Sequence, residues 1–284
     1  MATRLILTLS CPDRPGIVAA VSGFLAGRDC NILDSAQYGD ASNGRFFMRV
    51  SFAPLGAGIT AAGLRTEFAQ LAGRFAMDWS IHDGAVKPRL LVLVSRFGHC
   101  LNDLLYRQRI GALGAEIAAI VSNHGDFETL AGQHGVPFHH WRVRPDTKLE
   151  QERRMLDLID AQRIDLVVLA RYMQVLSPDA CARLEGRCIN IHHSFLPSFK
   201  GAHPYRQAWQ RGVKLIGATA HYVTASLDEG PIIGQDVARC DHAMSADELA
   251  AVGRDVEAVV LARAVKAHVE RRVLINGART VVFG

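Results

Sequence analysis

The chain is poor in aromatics, at 7% of its 284 residues, and no block of Lys or Arg stands out, so its net charge of +4 does not describe a nucleic-acid-binding face. A mild basic excess of this size suits a small anionic substrate instead. The six cysteines are scattered and include no C-x-x-C pair. That argues against a disulfide framework and a zinc site, and for a reducing, cytoplasmic setting. The apolar runs are broken by charges before they reach the roughly 20 residues of a membrane span, so no membrane partner is expected. The N-terminal stretch Met1 to Gly16 lacks the apolar core and small-residue cleavage site of a secretion signal. The dinucleotide fingerprint is also missing. Ser95-Arg96-Phe97-Gly98-His99 follows an apolar strand with one glycine where that motif needs three. NAD is therefore not proposed, and no cofactor is expected.

What is present can bury a core and has room for two modest domains: 49% of the residues are hydrophobic and 21% charged. Strands are predicted at Arg4–Ser10, Ile32–Tyr38, Gly44–Phe52 and Phe75–His82, with helices at Ile17–Ala26 and Thr60–Gly73. The order βαββαβ implies a ferredoxin-like α+β sheet with helices on one face. Asp83 to Arg89, with Gly84 and Pro88, marks a boundary, giving domains of 1–84 and 85–284. Beyond it, buried strands such as Leu90–Ser95 and Asp165–Ala170 alternate with helices such as His99–Arg109 and Lys148–Gln162. This is the pattern of a Rossmann-like α/β domain with a mostly parallel sheet. A helix is expected over His203–Arg211 and a longer one over Ser245–Arg271, opened by a capping box of Ser245 and Glu248. A hairpin around Asn276-Gly277 is expected to follow it.

The stretch Cys188 to Tyr205, CINIHHSFLPSFKGAHPY, carries the chemistry. On a strand, Asn190 and His192 share a face, at the end where the chain enters a loop rich in Pro and Gly. Open α/β sheets place their sites at such ends. Downstream, Leu227-Asp228-Glu229-Gly230-Pro231 can bring a carboxylate to the same place. Taken singly, a cap, a hydrogen-bonded histidine and a turn explain these residues; together they suit attack on a carbonyl without a covalent nucleophile. His192 and His193 do not form a metal-ligand pair, because neighbours on a strand point to opposite faces.

Longer segments carry a resemblance. The DRPGIV turn at Asp13 to Val18, with Asn31-Ile32 before the second strand, resembles the ACT domain over about residues 1 to 84. LARYMQVLS at Leu169 to Ser177, INIHHSFLPSFKGAHPY, and GATAHYVTASLDEGPII at Gly217 to Ile233 resemble the folate-dependent formyltransferase fold, from about residue 87 onward. The two together resemble the formyltetrahydrofolate deformylase family. That resemblance implies hydrolysis of 10-formyltetrahydrofolate to tetrahydrofolate and formate, balancing one-carbon folates for purine biosynthesis. It implies a catalytic set of Asn190, His192 and Asp228. It puts folate-binding contacts on Arg171, Tyr172, Met173, Gln174, Val175 and Leu176, and on the loop from Thr224 to Leu227. In the ACT unit it points to Asp13, Gly16 and Asn31 as contacts for an amino-acid effector, glycine or methionine, and to a homo-oligomer. The family pattern has Asn where this chain has His203.

Formyl hydrolysis needs a donor for an oxyanion, a base for water and a proton for the leaving nitrogen. Asn190 supplies the first, a term worth roughly 3 kcal/mol in comparable oxyanion holes. His192 and Asp228 share the rest, and the sequence leaves open which takes the water's proton. Two alternatives use the same fold. One passes the formyl group to an amine such as glycinamide ribonucleotide, and the triad serves that reaction equally. The other is a non-catalytic amino-acid- or folate-responsive binding protein. Against transfer, Ser95 to Cys100 holds bulky Phe97 and His99 where a phosphate cradle would need small residues. Against a tRNA acceptor, no further domain is expected beyond the long helix.

Overall fold

A computed structural model describes residues 4–196 and 204–284. The expected positions Pro197, Gly201 and His203 lie outside the described residues. The chain divides into two units. The first comprises residues 1–87, 270–276 and 281–284, and the second 88–269 and 277–280. The C-terminal residues thus group largely with the first unit, where the sequence reading assigned all of 85–284 to the second.

The first unit runs β1 (Leu5–Pro12), α1 (Ile17–Ala26), β2 (Cys30–Asp40), β3 (Arg45–Pro54), α2 (Ala61–Phe75) and β4 (Asp78–Asp83). Its sheet has the order β2-β3-β1-β4, antiparallel throughout. Leu5, Leu7 and Leu9 from β1 and Met48, Val50 and Phe52 from β3 meet Val21 and Leu25 of α1 and Leu64 and Phe68 of α2 in one core. Period-2 strand positions packing against period-3.6 helix positions give the ferredoxin-like layer pair. Helix α2 extends through Phe75, which the sequence reading gave to the last strand. Ala76 ends the helix at φ +50, in the left-handed region, and its N–H bonds back to the last turn.

The three effector positions do not converge within this unit. Gly16 takes φ +93 at the start of α1, and Asp13 Oδ2 lies 2.9 Å from where a Cβ on Gly39 would stand, near the end of β2. Asn31 is at the other end of β2, paired with Ala53. Eight residues of strand separate Asn31 from Gly39, about 26 Å at the usual rise.

The second unit runs β5 (Arg89–Val94), α3 (His99–Arg109), β6 (Glu116–Ser122), α4 (Glu128–Gln133), β7 (Phe138–His140), α5 (Lys148–Ala161), β8 (Leu166–Leu169), α6 (Pro178–Arg183), β9 (Cys188–His192), α7 (Pro204–Arg211), β10 (Leu215–Tyr222), β11 (Ile232–Arg239) and α8 (Ala246–Val269). The terminal hairpin is β12 (Val273–Asn276) and β13 (Arg279–Val282). The seven-stranded sheet has the order β11-β10-β9-β8-β5-β6-β7. Strands β5 to β9 are parallel, and β10 runs antiparallel to both of its neighbours, β9 and β11. Central β5 is apolar without alternation, because a parallel strand covered on both faces has no solvent side. From β5 the chain winds through β6 to β7, then crosses to β8 and β9. The order therefore reverses between β5 and β8. A crevice outside the carboxyl ends of those strands is where such sheets bind ligands.

Candidate active site

The segments after β5 and β8 are tied together at this reversal. Ser95 N donates to the Arg171 carbonyl at 3.2 Å, and Met173 N donates to Ser95 Oγ at 3.0 Å. Ser95 Oγ donates in turn to Asn123 Oδ1 at 2.7 Å. The expected folate segment, residues 171–176, is thus fixed through its main chain. Burial, reinforced by Glu152, pushes the Tyr172 hydroxyl up to about 12.

Strand β9 brings in Asn190 and His192 on one face, and β10 lies beside it with Thr219 opposite His192 and His221 opposite Asn190. His192 Nδ1 stands 3.2 Å from Asp228 Oδ2, and His221 Nε2 stands 3.7 Å from Asp228 Oδ1. Asn190 Nδ2 is 3.2 Å from His221 Nε2. The three sequence-derived residues therefore meet, with His221 joining Asn190 to Asp228. His221 was not singled out from sequence, although its place in the apolar alternation of β10 was a usable signal.

The tautomers follow from the partners. His221 Nδ1 is 2.9 Å from the Tyr222 carbonyl, which can only accept. His221 Nε2 faces both Asn190 Nδ2 and Asp228 Oδ1, so at least one Asn190 amide hydrogen remains for a ligand. His192 directs Nδ1–H at Asp228, and its Nε2 is buried with no partner among the described residues. A buried imidazole nitrogen left unpaired faces a cost that a ligand relieves.

Asp228 is held well below the usual carboxylate range, chiefly by its hydrogen bonds to His192 and His221, which outweigh its burial. Its backbone sits at φ +56, uncommon for a residue with a side chain. Gly230 makes that turn possible: a Cβ there would lie 1.7 Å from the Tyr222 carbonyl oxygen. Next to the triad, His193 is pushed down to about 3, by burial first and then by the positive charge of Arg171.

These groups open on a cavity of about 910 Å³. Its lining includes the triad, His221, residues 171–176, Thr224 and Leu227, so every sequence-predicted folate contact borders it. The Arg171 side chain, however, points to Glu257 on α8, 3.3 Å from Nε to Oε2. Glu257, one of four acids on α8, was also missed from sequence. His99, Cys100 and Glu257 present donor atoms within 4.8 Å of one another. His99, Tyr205 and Arg171 already contact that carboxylate, so its charge is paired from within the chain.

Comparison with known proteins agrees with this geometry. The formyl transferase family model matches residues 88–265, and the ACT domain model matches residues 5–57. A formyltetrahydrofolate deformylase from Corynebacterium sp. (strain P-1) is 50% identical over 280 residues, covering 99% of this chain and 98% of the relative. The crystal structure of formyltetrahydrofolate deformylase from Burkholderia mallei superposes with a TM-score of 0.95 at 55% identity, over 99% of this chain and all of that one. Glycinamide ribonucleotide transformylase 1 from Symbiobacterium toebii matches with a TM-score of 0.65 at 30% identity, over 70% of this chain and 95% of its own. The chain belongs to the formyl transferase family and, within it, to the ACT-bearing formyltetrahydrofolate deformylases.

Proposed function

We infer that the cavity hydrolyses 10-formyltetrahydrofolate to tetrahydrofolate and formate. The observation that carries the reading is the buried His192 Nε2, without a partner among the described residues, on the same strand face as Asn190, with Asp228 behind it. Water adds to the formyl carbon and gives its proton to His192 Nε2, while Asp228 accepts the Nδ1 hydrogen bond and steadies the imidazolium. The formyl oxygen becomes an oxyanion and accepts the free amide hydrogen of Asn190. Collapse breaks the bond to the folate nitrogen, which takes the proton back from His192. Asp228 is a poor candidate for the water's base, since a carboxylate held so far below its usual range binds protons weakly. Main-chain groups of residues 171–176 and the loop from Thr224 to Leu227 hold the pterin. The test is release of formate from 10-formyltetrahydrofolate with water as the sole acceptor. Absence of formate from folded protein would overturn the reading.

The first unit supports an amino-acid effector and a homo-oligomer. Strand β2 is an 11-residue edge strand with Leu33 53% and Tyr38 47% exposed, a form that invites pairing. Antiparallel pairing of two β2 strands about Ser35 sets Asn31 of one copy opposite Gly39 of the other, beside that copy's Asp13 and the start of α1. The effector contacts then come from two chains, and the free N–H groups at the start of α1 attract a carboxylate. Glycine and methionine are the candidates. All six cysteines are free and buried, which supports a reducing, cytoplasmic setting. Among the described residues no helix is long and apolar enough to cross a membrane.

A further inference from the structure

Beyond the triad the cavity has a second polar wall whose residues are occupied with one another. Glu257 is 1% exposed. Its Oε2 is 2.7 Å from His99 Nε2 and 3.3 Å from Arg171 Nε, and its Oε1 accepts from the Tyr205 hydroxyl at 2.5 Å. The Arg171 contact is close enough for an ion pair but out of line for a hydrogen bond. The four residues come from α8, the first turn of α3, the segment after β8, and α7.

Two backbone features build this wall. Gly253 lies one helical turn before Glu257, and a Cβ there would stand 2.2 Å from the Tyr205 ring. Glycine alone lets the ring lie against α8 and its hydroxyl reach the carboxylate. Arg171 adopts φ +63, a conformation that persists in a residue with a side chain when its surroundings fix it. Its guanidinium stands 5.6 Å from the centre of the Phe97 ring. Burial is the largest influence on Glu257 and raises its pKa. The His99 hydrogen bond, the Arg171 charge and the Tyr205 hydrogen bond together reverse it, so the net shift is downward. The cluster is an ionised acid with its donors supplied from within the chain.

Its place in the sheet gives this arrangement a consequence. Phe97 and His99 stand where β5 leads into α3, the position at which an open sheet receives a phosphate on free helix N–H groups. The ribonucleotide transformylase from Symbiobacterium toebii shares this unit's fold. Where β5 leads into α3 and faces α8, the cavity wall of this chain presents a paired cation, an added carboxylate and an aromatic ring. That carboxylate–cation pair is not left to bind an anionic acceptor, since a buried charge displaced from its partner is costly; Arg206 and Arg254 are the other cations on the lining.

We propose that the Glu257–Arg171–His99–Tyr205 cluster, with Phe97 beside it, fills the acceptor end of the cavity and leaves water as the nucleophile that reaches the formyl carbon. The inference rests on the hydrolytic reading above. Its test follows a labelled formyl group through Arg171→Gly, Phe97→Gly and the double variant, each with glycinamide and with glycinamide ribonucleotide as the amine probe. Glycine suits the positive φ of Arg171 and Phe97 is 49% exposed, so neither change strains the backbone, and Phe97→Gly alone carries the test if loss of the Arg171 charge beside buried Glu257 unfolds the protein. The wild type is expected to put its label into formate alone. The double variant is expected to divert at least about a tenth of it into an N-formyl amine, a product ratio that a merely structural cluster would not move. Variants that still turn over and send all label to formate would overturn the proposal. A wild type that releases no formate would instead sink the hydrolytic reading.

Discussion

At the scale of single residues, the account rests on groups that act only as charge and protons move. Asn190→Ala, His192→Ala and Asp228→Asn should each lower kcat by about 100-fold or more while changing folate binding little, since removal of one oxyanion donor alone costs about 100- to 1,000-fold. Steady-state kinetics on folded variants decides this, and near-normal turnover removes that residue from the mechanism. Glu257 gives a second prediction. Its folded pKa lies below the unfolded value of roughly 4.3, so the unfolded chain takes up the proton first. Its contribution to stability is whole above about pH 5 and is lost as pH falls through the folded value. Denaturant titration should show the wild type more stable than Glu257→Gln by about 3 kcal/mol at pH 7, with a narrower gap at pH 3. A gap independent of pH would mean that Glu257 is not ionised. The triad was legible because strand alternation and motif order mark Asn190, His192 and Asp228. His221 and Glu257 were not singled out, because partners that give them meaning come from distant sequence: Asn190 lies 31 residues from His221, and Tyr205 and His99 lie 52 and 158 residues from Glu257.

At the scale of elements, strand and turn geometry sets the site. The β9–β10 register places His221 across from Asn190, and a one-residue slip would turn His221 away from the cavity. The turn after β10 depends on Gly230, since any Cβ would overlap the Tyr222 carbonyl at 1.7 Å. Gly230→Ala should displace Asp228, lower kcat at least as far as Asp228→Asn does, and cost about 3 kcal/mol or more in stability. Unchanged melting and kinetics would show that the turn tolerates a side chain. Element type and order were readable from periodicity through most of the chain. Boundaries were less so: Phe75 was read as strand because an aromatic residue fits either pattern, and packing on the ACT-unit core keeps it helical.

At the scale of the whole molecule, the fold class was legible in both halves, since βαββαβ and alternating β/α order leave few topologies. The return of the C-terminus was not legible. Asn276 accepts from Asn43 Nδ2 at 2.6 Å and donates to Asp40 at 2.7 Å, and Arg49 donates to the Glu270 carbonyl at 3.0 Å. Contacts between positions over 200 residues apart leave no periodic trace. The separation of Asn31 from Asp13 was equally hidden, because a strand's length is not a distance between motifs until its pairing is known. For the effector we expect glycine or methionine to change turnover, and Gly16→Val or Asn31→Ala to weaken that response while leaving basal turnover largely intact. Calorimetric titration beside a sizing measurement tests this; no heat and no kinetic effect would leave the first unit a purely structural one. The central claim is tested most directly by one product analysis. Purified protein is given 10-formyltetrahydrofolate with a labelled formyl group, first in buffer alone and then with glycinamide ribonucleotide. The account predicts labelled formate and tetrahydrofolate in equal amounts, at a rate the ribonucleotide does not change. Label that stays on the folate in buffer and moves to the ribonucleotide when it is added would contradict it.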